Sequence, residues 1–177
     1  MLLDFFYIVS ELKKVPRKGW KEKVGINHPE SVADHSYGTA VIAMIFSDNM
    51  GNLDSERIVQ MALLHDLAES ITGDFIPGEI QKENKKTVED QTMKEILSKL
   101  PPRLFDKYYS LWNEYIDCTS KESILLHEID RLEMAIQAAK YYGEGFQKEK
   151  LQEFVESARR EIKSKELVEI LDAISYK

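Results

Sequence analysis

Apolar residues recur with the spacing of an α-helix along nearly the whole chain. In almost every long stretch they lie three or four positions apart, and no stretch alternates convincingly with the two-residue period of a β-strand. A helix with one apolar stripe must bury that stripe against other helices when no sheet is available. The sequence therefore predicts an all-α fold, a helical bundle.

The size and composition of the chain favour a single folded unit. The chain has 177 residues, of which 43% are hydrophobic and 31% are charged, as is ordinary for a globular protein. A chain of this length can bury a substantial core. It contains no internal repeat and no linker long enough to divide it. We therefore predict one domain that covers residues 1–177.

Prolines, glycines and capping residues divide the chain into predicted helices. Pro16 ends the first, predicted at 2–13, because the residue before a proline is pushed out of the helical region. Ser31 is suited to cap a second helix that ends near Gly51, and Asp54 or Ser55 a third that continues through the HDLAE segment. The predicted apolar face of the third helix consists of Ile58, Val59, Ala62, Leu63 and Leu67. The remaining helices are predicted at 87–100, 103–115, 121–142, 146–163 and 165–174, with irregular loops at 17–30 and 71–77.

Charge and hydropathy exclude two classes of partner. The formal net charge of −7 repels polyanions, so we expect no nucleic-acid polymer, although a small anion bound at a metal is permitted. No apolar run approaches the roughly 20 residues that span a bilayer, and the start of the sequence does not resemble a secretory leader. We expect a cytoplasmic protein, in which the single cysteine, Cys118, is a buried thiol.

The adjacent pair His65 and Asp66 is the most informative local feature. In the run MALLHDLAE an apolar helix presents two potential metal ligands, followed one turn later by Glu69. Burying a bare charge beside an apolar stripe costs several kcal/mol unless it is paired or bound to a metal. His35 and Asp130 are further candidates on other predicted helices. Four such ligands from three helices would form an open site for one cation.

Each of these residues also has a structural interpretation. A lone histidine on a helix is more often a hydrogen-bonded core or boundary residue than a ligand, and we assign His28 and His127 to that class. Asp66 could be an exposed acid. Asp130 and Glu133, with an arginine between them, could form a solvated ion-pair face of little energetic value. The pattern alone leaves both interpretations open.

The order of the candidate ligands resembles the H…HD…D motif of the HD superfamily of phosphohydrolases. The contexts ESVADHSYGTAVIAM, ALLHDLAESITGD and EIDRLEMAIQA carry the resemblance, which covers about residues 13–139 and is closest to the HD-domain 5′-deoxynucleotidases. It implies that His35, His65, Asp66 and Asp130 hold one divalent metal ion. The resemblance leaves the ion undecided among Co²⁺, Mn²⁺, Mg²⁺, Zn²⁺, Ni²⁺ and Fe²⁺.

The same resemblance assigns roles to residues around the metal. Glu69 matches a carboxylate used for proton transfer, and Asp74 an acid on the leaving-group side of the pocket. The substrate-binding residues implied by the VPRKGW and DFIP segments are Arg17, Lys18, Trp20, Asp74, Phe75, Ile76 and Pro77. Among these, Arg17 and Lys18 would bind the phosphate and Trp20 would face the sugar.

The resemblance implies a homodimeric enzyme that removes the 5′-phosphate of (deoxy)nucleoside monophosphates with a metal-activated water. Two alternatives stay open. One is another HD phosphoesterase reaction, on a cyclic nucleotide, an alarmone or a deoxynucleoside triphosphate. The other is a non-catalytic helical module that a metal stabilises. The aromatic segment 108–115 could supply an apolar surface for a dimer, or it could belong to the core.

Overall fold

The computed structural model describes residues 2–174, which form nine α-helices and no β-strand. The predicted all-α class is confirmed. The helices are α1 (Leu2–Glu11), α2 (Val32–Met50), α3 (Ser55–Leu64), α4 (Glu69–Thr72), α5 (Lys82–Leu97), α6 (Pro102–Ile116), α7 (Lys121–Gly143), α8 (Lys148–Glu161) and α9 (Lys165–Ala173). A 3₁₀ turn at Leu12–Lys14 follows α1, and a π-helical turn occupies Trp20–Val24.

Side-chain caps fix the helices that carry the candidate ligands. The Ser31 hydroxyl accepts a hydrogen bond from the backbone N–H of Asp34, whose carboxylate accepts in return from the backbone of Ser31. Gly51, with φ of 67°, ends α2 in the left-handed conformation that glycine adopts without strain. Asp54 caps α3 through the N–H of Arg57. The predicted caps of α2 and α3 are thereby confirmed.

Two hydrophobic cores share the longest helix, α7. The larger core gathers side chains from α2, α3, α5, α6, α7, α8 and α9 around the fully buried Ile58 and Met61 of α3. The smaller core lies between the π-helical turn, α7 and α8, and contains Trp20, Met134 and Leu151. Because α7 contributes to both cores, its middle turns are held from two sides.

Several predicted boundaries differ from the structure. The third predicted helix does not continue: α3 ends at Leu64, residues 65–68 form turns, and α4 begins at Glu69. Leu63 does not belong to the buried face, since 53% of it is exposed. Helix α5 begins at Lys82 rather than at residue 87, because its charged first turns are compatible with an exposed helix. The predicted loop at 17–30 contains the π-helical turn.

The structure corrects the predictions for Cys118 and His28, agrees with that for His127, and decides between the two alternatives for the aromatic segment. The aromatic segment of α6 belongs to the core, with Trp112 and Tyr115 buried, so it offers no large apolar surface. Cys118 is exposed rather than buried. His28 is exposed, whereas His127 is a boundary residue that hydrogen-bonds the carbonyl of Tyr115 at 2.9 Å and stacks on its ring. In the described part of the chain, no helix is both long and apolar enough to cross a membrane.

Candidate metal centre and active site

The four predicted ligands meet at the junction of α2, α3 and α7. His35 lies in the first turns of α2, His65 and Asp66 directly follow α3, and Asp130 lies in the middle of α7. The Nε2 atom of His35 is 3.0 Å from Asp130 Oδ1 and 3.8 Å from Asp66 Oδ2. The Nε2 atom of His65 is 3.1 Å from the same Asp66 oxygen. Two imidazoles and two carboxylates from separate segments therefore converge on one small volume.

Both histidines present a free nitrogen to this volume. The Nδ1–H of His35 donates to Glu133 Oε2 at 2.5 Å, and the Nδ1–H of His65 donates to the carbonyl of Ala62 at 2.6 Å. A carboxylate and a carbonyl only accept, so these bonds leave the lone pair of each neutral ring on Nε2. Both Nε2 atoms are buried, and neither makes a hydrogen bond within the described residues. Two orphaned nitrogens beside two carboxylates fit a divalent cation.

The electrostatics of the cluster favour positive charge. Burial opposes ionisation of Asp130, but the neighbouring imidazole of His35 outweighs burial and holds the pKa of Asp130 far below its ordinary value. Burial and the charge of Arg17 act against protonation of His35, yet Asp130 and Glu133 raise its pKa to about 9. A divalent cation would supply the same positive charge while the imidazoles stay neutral.

Glu133 is a functional residue that the sequence interpretation placed elsewhere. It is not part of a solvated ion-pair face, because its carboxylate is buried against His35, while Arg131 pairs with Glu161 at 2.8 Å. Its position three residues after Asp130 on one helix puts both carboxylates on a similar face, and that spacing could have identified it. Glu133 orients a ligand of the candidate site.

Glu30 lies behind the same histidine and connects it to the wall of the cavity. Ligand atoms of Glu30, His35 and Glu133 lie within 4.8 Å of one another. Glu30 Oε1 accepts a hydrogen bond from Trp20 Nε1 at 2.8 Å. Burial and the neighbouring charge of Glu133 raise the pKa of Glu30 to about 7. Trp20 is therefore fixed by the polar groups that support His35.

Replacing Gly38 with alanine should weaken metal binding about 10- to 100-fold, the usual effect of disturbing a residue that orients a ligand. A Cβ at position 38 would lie 2.8 Å from Glu133 Oε1, so the carboxylate, whose other oxygen accepts from His35, would have to shift and disturb that bond. The dissociation constant for Co²⁺, titrated through its visible absorption, measures the effect.

Gly143→Ala is the matched control for that substitution. Gly143 is also helical, but a Cβ there meets nothing within 4 Å. Metal affinity should be unchanged in this variant, with stability equal to wild type or up to about 1 kcal/mol higher. Unchanged Co²⁺ affinity in both Gly38→Ala and Glu133→Leu would show that Glu133 does not position His35.

The two predicted catalytic carboxylates line the cavity beside the ligands. Glu69 is only 3% exposed, and its Oε2 has no hydrogen-bond partner among the described residues. Burial and the nearby charges of Asp66 and Asp74 raise the pKa of Glu69 well above its ordinary value. Asp74 Oδ2 accepts a hydrogen bond from the backbone N–H of Lys18 at 2.6 Å. Glu69 is thus a buried carboxyl that holds its proton more firmly than an exposed glutamate does and lies where it could exchange that proton with a substrate water.

The predicted substrate-binding residues divide into two groups. Arg17 lies in the cavity, with its guanidinium 3.6 Å from Asp66 Oδ2. Lys18 does not line the cavity, because its ammonium pairs with Glu79 and lies 3.7 Å from Glu22. The structure thus places the Lys18 ammonium away from the position in which it would bind a phosphate.

Aromatic and apolar residues form other walls of the cavity. Trp20 is 1% exposed and packs on Phe154, with ring centroids 4.1 Å apart, so only an edge of its indole borders the opening. The loop residues Phe75, Ile76 and Pro77 also line the cavity. Its volume is about 570 Å³. The lining residues that the sequence interpretation did not predict include Lys23, Lys85, Glu89, Arg131, Ser157 and Arg160.

Comparisons with known proteins identify the family and several relatives of this chain. A family model described as "HD domain" matches residues 9–170. The human protein named 5′-deoxynucleotidase HDDC2 is 38% identical over 98% of this chain and 84% of its own length. The fission yeast 5′-deoxynucleotidase hdd1 is 34% identical over 79% of this chain and 72% of its own length. The crystal structure of PH0347 from Pyrococcus horikoshii superposes with a TM-score of 0.81 and 34% identity, covering 97% of both chains.

Proposed function

The chain belongs to the HD domain family, and from this membership we propose that it is a metal-dependent phosphohydrolase that removes the 5′-phosphate of deoxynucleoside monophosphates. The observation that carries the proposal is the pair of buried, unpartnered Nε2 atoms of His35 and His65 beside Asp66 and Asp130, in a cluster of which His65, Asp66 and Asp130 line an open cavity. Relatives that match almost the whole chain carry the name 5′-deoxynucleotidase, which supplies the substrate class.

His35, His65, Asp66 and Asp130 would hold one divalent ion. When bound, such an ion lowers the pKa of a water ligand from 15.7 toward about 7 and neutralises charge on phosphoryl oxygens. Because His65, Asp66 and Asp130 line the cavity, an ion held there would be accessible to water and substrate, as a catalytic rather than a closed structural site requires. The availability of each metal in the cell and the ligand types together decide which of the six candidate ions is physiological.

The surrounding residues provide the remaining functions. Arg17 binds the phosphate, because its planar guanidinium can make two parallel hydrogen bonds to phosphoryl oxygens. Glu69 takes a proton from the attacking water, a role that its buried and unpartnered carboxyl suits. Asp74, held by the backbone N–H of Lys18, assists protonation of the departing 5′ oxygen through water. A purely structural metal site would not need unliganded carboxylates at its mouth.

We assign the selection of deoxyribose over ribose to the part of the cavity wall that contains Trp20. Its indole is fixed between the carboxylate of Glu30 and the ring of Phe154, so it cannot swing aside to admit a 2′-hydroxyl. Phe75, Ile76 and Pro77 contact the rest of the nucleoside. A rigid wall excludes an extra hydroxyl more strongly than a mobile side chain does.

The enzyme is further proposed to act as a homodimer. Exposed apolar side chains follow one stripe of α2, comprising Tyr37, Val41, Met44 and Ile45. More lie on α1, at Leu2, Leu3, Phe6, Tyr7 and Val9. Apolar surface of this extent on a soluble protein marks an association site. Light scattering should give twice the chain mass of 20.5 kDa, and Ile45→Glu should shift the mass toward one chain.

The proposed compartment is the reducing cytoplasm, where the exposed thiol of Cys118 would stay unpaired. Cell fractionation tests this directly. Recovery of the native protein only from an oxidising compartment would refute it.

The decisive experiment measures phosphate released from a panel of nucleotides. Metal-stripped protein is reloaded with each candidate ion and given 5′-deoxynucleoside and 5′-ribonucleoside monophosphates, a cyclic nucleotide and a deoxynucleoside triphosphate. We expect release from the deoxynucleoside monophosphates and much less from their ribose counterparts. Equal turnover of AMP and dAMP would remove the role of Trp20. Turnover of only the cyclic nucleotide or the triphosphate would replace the proposed reaction.

A further inference from the structure

The cations that line the cavity differ in how firmly they are held. Lys23 pairs with Glu153 at 2.6 Å, and Arg131 pairs with Glu161 at 2.8 Å. These distances are typical of well-made charge-assisted hydrogen bonds. Lys23 and Arg131 are therefore already paired with neighbouring carboxylates.

Lys85 is held loosely by comparison. It lies in the first turns of α5 and lines the cavity together with Glu89, one turn later on the same helix. Its ammonium is 3.4 Å from Glu89 Oε1, beyond the usual distance of a charge-assisted hydrogen bond. The side chain is 36% exposed, whereas that of Glu89 is 16% exposed. An ammonium in this position can turn from Glu89 to a ligand at small cost.

Lys85 stays charged and shares the cavity with proposed ligands and catalytic carboxylates. Burial acts to lower the pKa of its ammonium, but Glu89, Glu69 and Asp66 outweigh burial and raise the pKa, so the group stays charged. Glu69 and Asp66 are a proposed catalytic residue and a proposed metal ligand. Lys85 also lines the same cavity as Arg17, whose guanidinium lies 3.6 Å from Asp66 Oδ2.

The lysine that the motif suggested cannot provide this charge from its present position. The Lys18 ammonium pairs with Glu79 outside the cavity, and only the backbone N–H of Lys18 reaches toward the site, through Asp74. Even with a divalent ion at the ligands and Arg17 beside them, a phosphate dianion bound among Asp66, Glu69 and Asp74 leaves negative charge that a further cationic group can offset. Arg17 is the first side chain to supply positive charge to the phosphate.

We propose that Lys85 is the second phosphate-binding side chain of this active site, beside Arg17. Its ammonium turns away from Glu89 and binds the substrate phosphoryl group. The assignment deepens the proposed function and rests on it. Lys85 touches the phosphate directly, so it acts on binding of both substrate and product.

The test is binding of inorganic phosphate to protein loaded with one equivalent of Mn²⁺, measured calorimetrically. Lys85→Met keeps the length and helix propensity of the side chain and removes its charge. We expect the dissociation constant for phosphate to rise about 10- to 100-fold, the usual effect of losing a hydrogen bond to a charged group. The KM for a deoxynucleoside monophosphate should rise by a similar factor. Lys85→Arg should restore much of both.

Lys86→Met is the matched control. Lys86 is the next residue of α5, but it is exposed and pairs with Asp117 at 2.9 Å instead of lining the cavity. Its phosphate affinity and KM should equal those of wild type. Circular dichroism establishes that the variants are folded.

Three results would count against the role of Lys85. Equal phosphate affinity in wild type and Lys85→Met overturns it, as does a change in kcat with affinity unchanged, which would mean that Lys85 acts only on Glu69. Absence of measurable phosphate binding by the wild type also overturns it. If the wild type binds phosphate but releases none from any nucleotide, the proposed function fails, while the comparison of phosphate affinities still decides the role of Lys85.

Discussion

Asp66→Asn should lower the rate of phosphate release by about 10³-fold or more and abolish tight metal binding. Asp66 Oδ2 lies within 3.8 Å of Nε2 of both histidines, so it is the carboxylate common to the two imidazole ligands. Losing the ion removes several kcal/mol of transition-state stabilisation, and each 1.36 kcal/mol corresponds to tenfold in rate. Metal content by mass spectrometry and phosphate release with dAMP measure the two effects.

Asp48→Asn is the control for the same chemical change. Asp48 lies on the exposed surface of α2, and its substitution should leave metal content and rate unchanged. An Asp66→Asn protein that keeps one equivalent of metal and a rate near that of wild type would exclude Asp66 as a ligand. It would also weaken the assignment of the whole cluster.

Glu69→Gln should lower kcat about 10²- to 10⁴-fold while the protein keeps its metal. Glutamine preserves the volume of this buried side chain but cannot take a proton from water. Burial and the charges of Asp66 and Asp74 raise the pKa of the Glu69 carboxyl, which places its proton exchange nearer to neutral pH. Single-turnover rates with dAMP separate this chemical step from product release.

The metal content of the Glu69→Gln protein separates proton transfer from ligation. Equal metal content in the two proteins, with similar phosphate affinity, assigns the loss to proton transfer. Loss of metal would instead make Glu69 a fifth ligand. Glu56→Gln on the exposed side of α3 serves as the control and should behave as wild type.

The sequence allowed much of the fold to be predicted because the strongest local signals agreed with the tertiary structure. Helix α2 begins after Ser31 and ends at Gly51 as predicted, since a hydroxyl cap and a left-handed glycine act within a few residues. The predicted start of α5 was wrong, because a charged helix without a side-chain cap resembles a charged loop. The break after α3 was not predicted, since no proline or glycine marks residues 65–68.

The candidate ligands could be identified from their motif, but their supporting residues could not. Glu133 lies two residues after Arg131, so its sequence context suggested an ion pair at the surface, and only the packing of α7 against α2 brings it to His35. Lys18 and Lys85 show the same limit. Sequence proximity to Arg17 favoured Lys18, whereas the approach of α5 to the cavity favours Lys85. Contacts between distant segments decide these roles.

Because α7 lies between two hydrophobic cores, substitutions in either core can affect catalysis. Asp130 and Glu133 lie on the shared helix, so a substitution in either core that shifts α7 also moves a ligand and the residue that orients another. Side chains such as Ile129 and Met134 are then subject to selection on turnover as well as on stability. Over evolutionary time, the two cores should accept compensating changes together rather than drift independently.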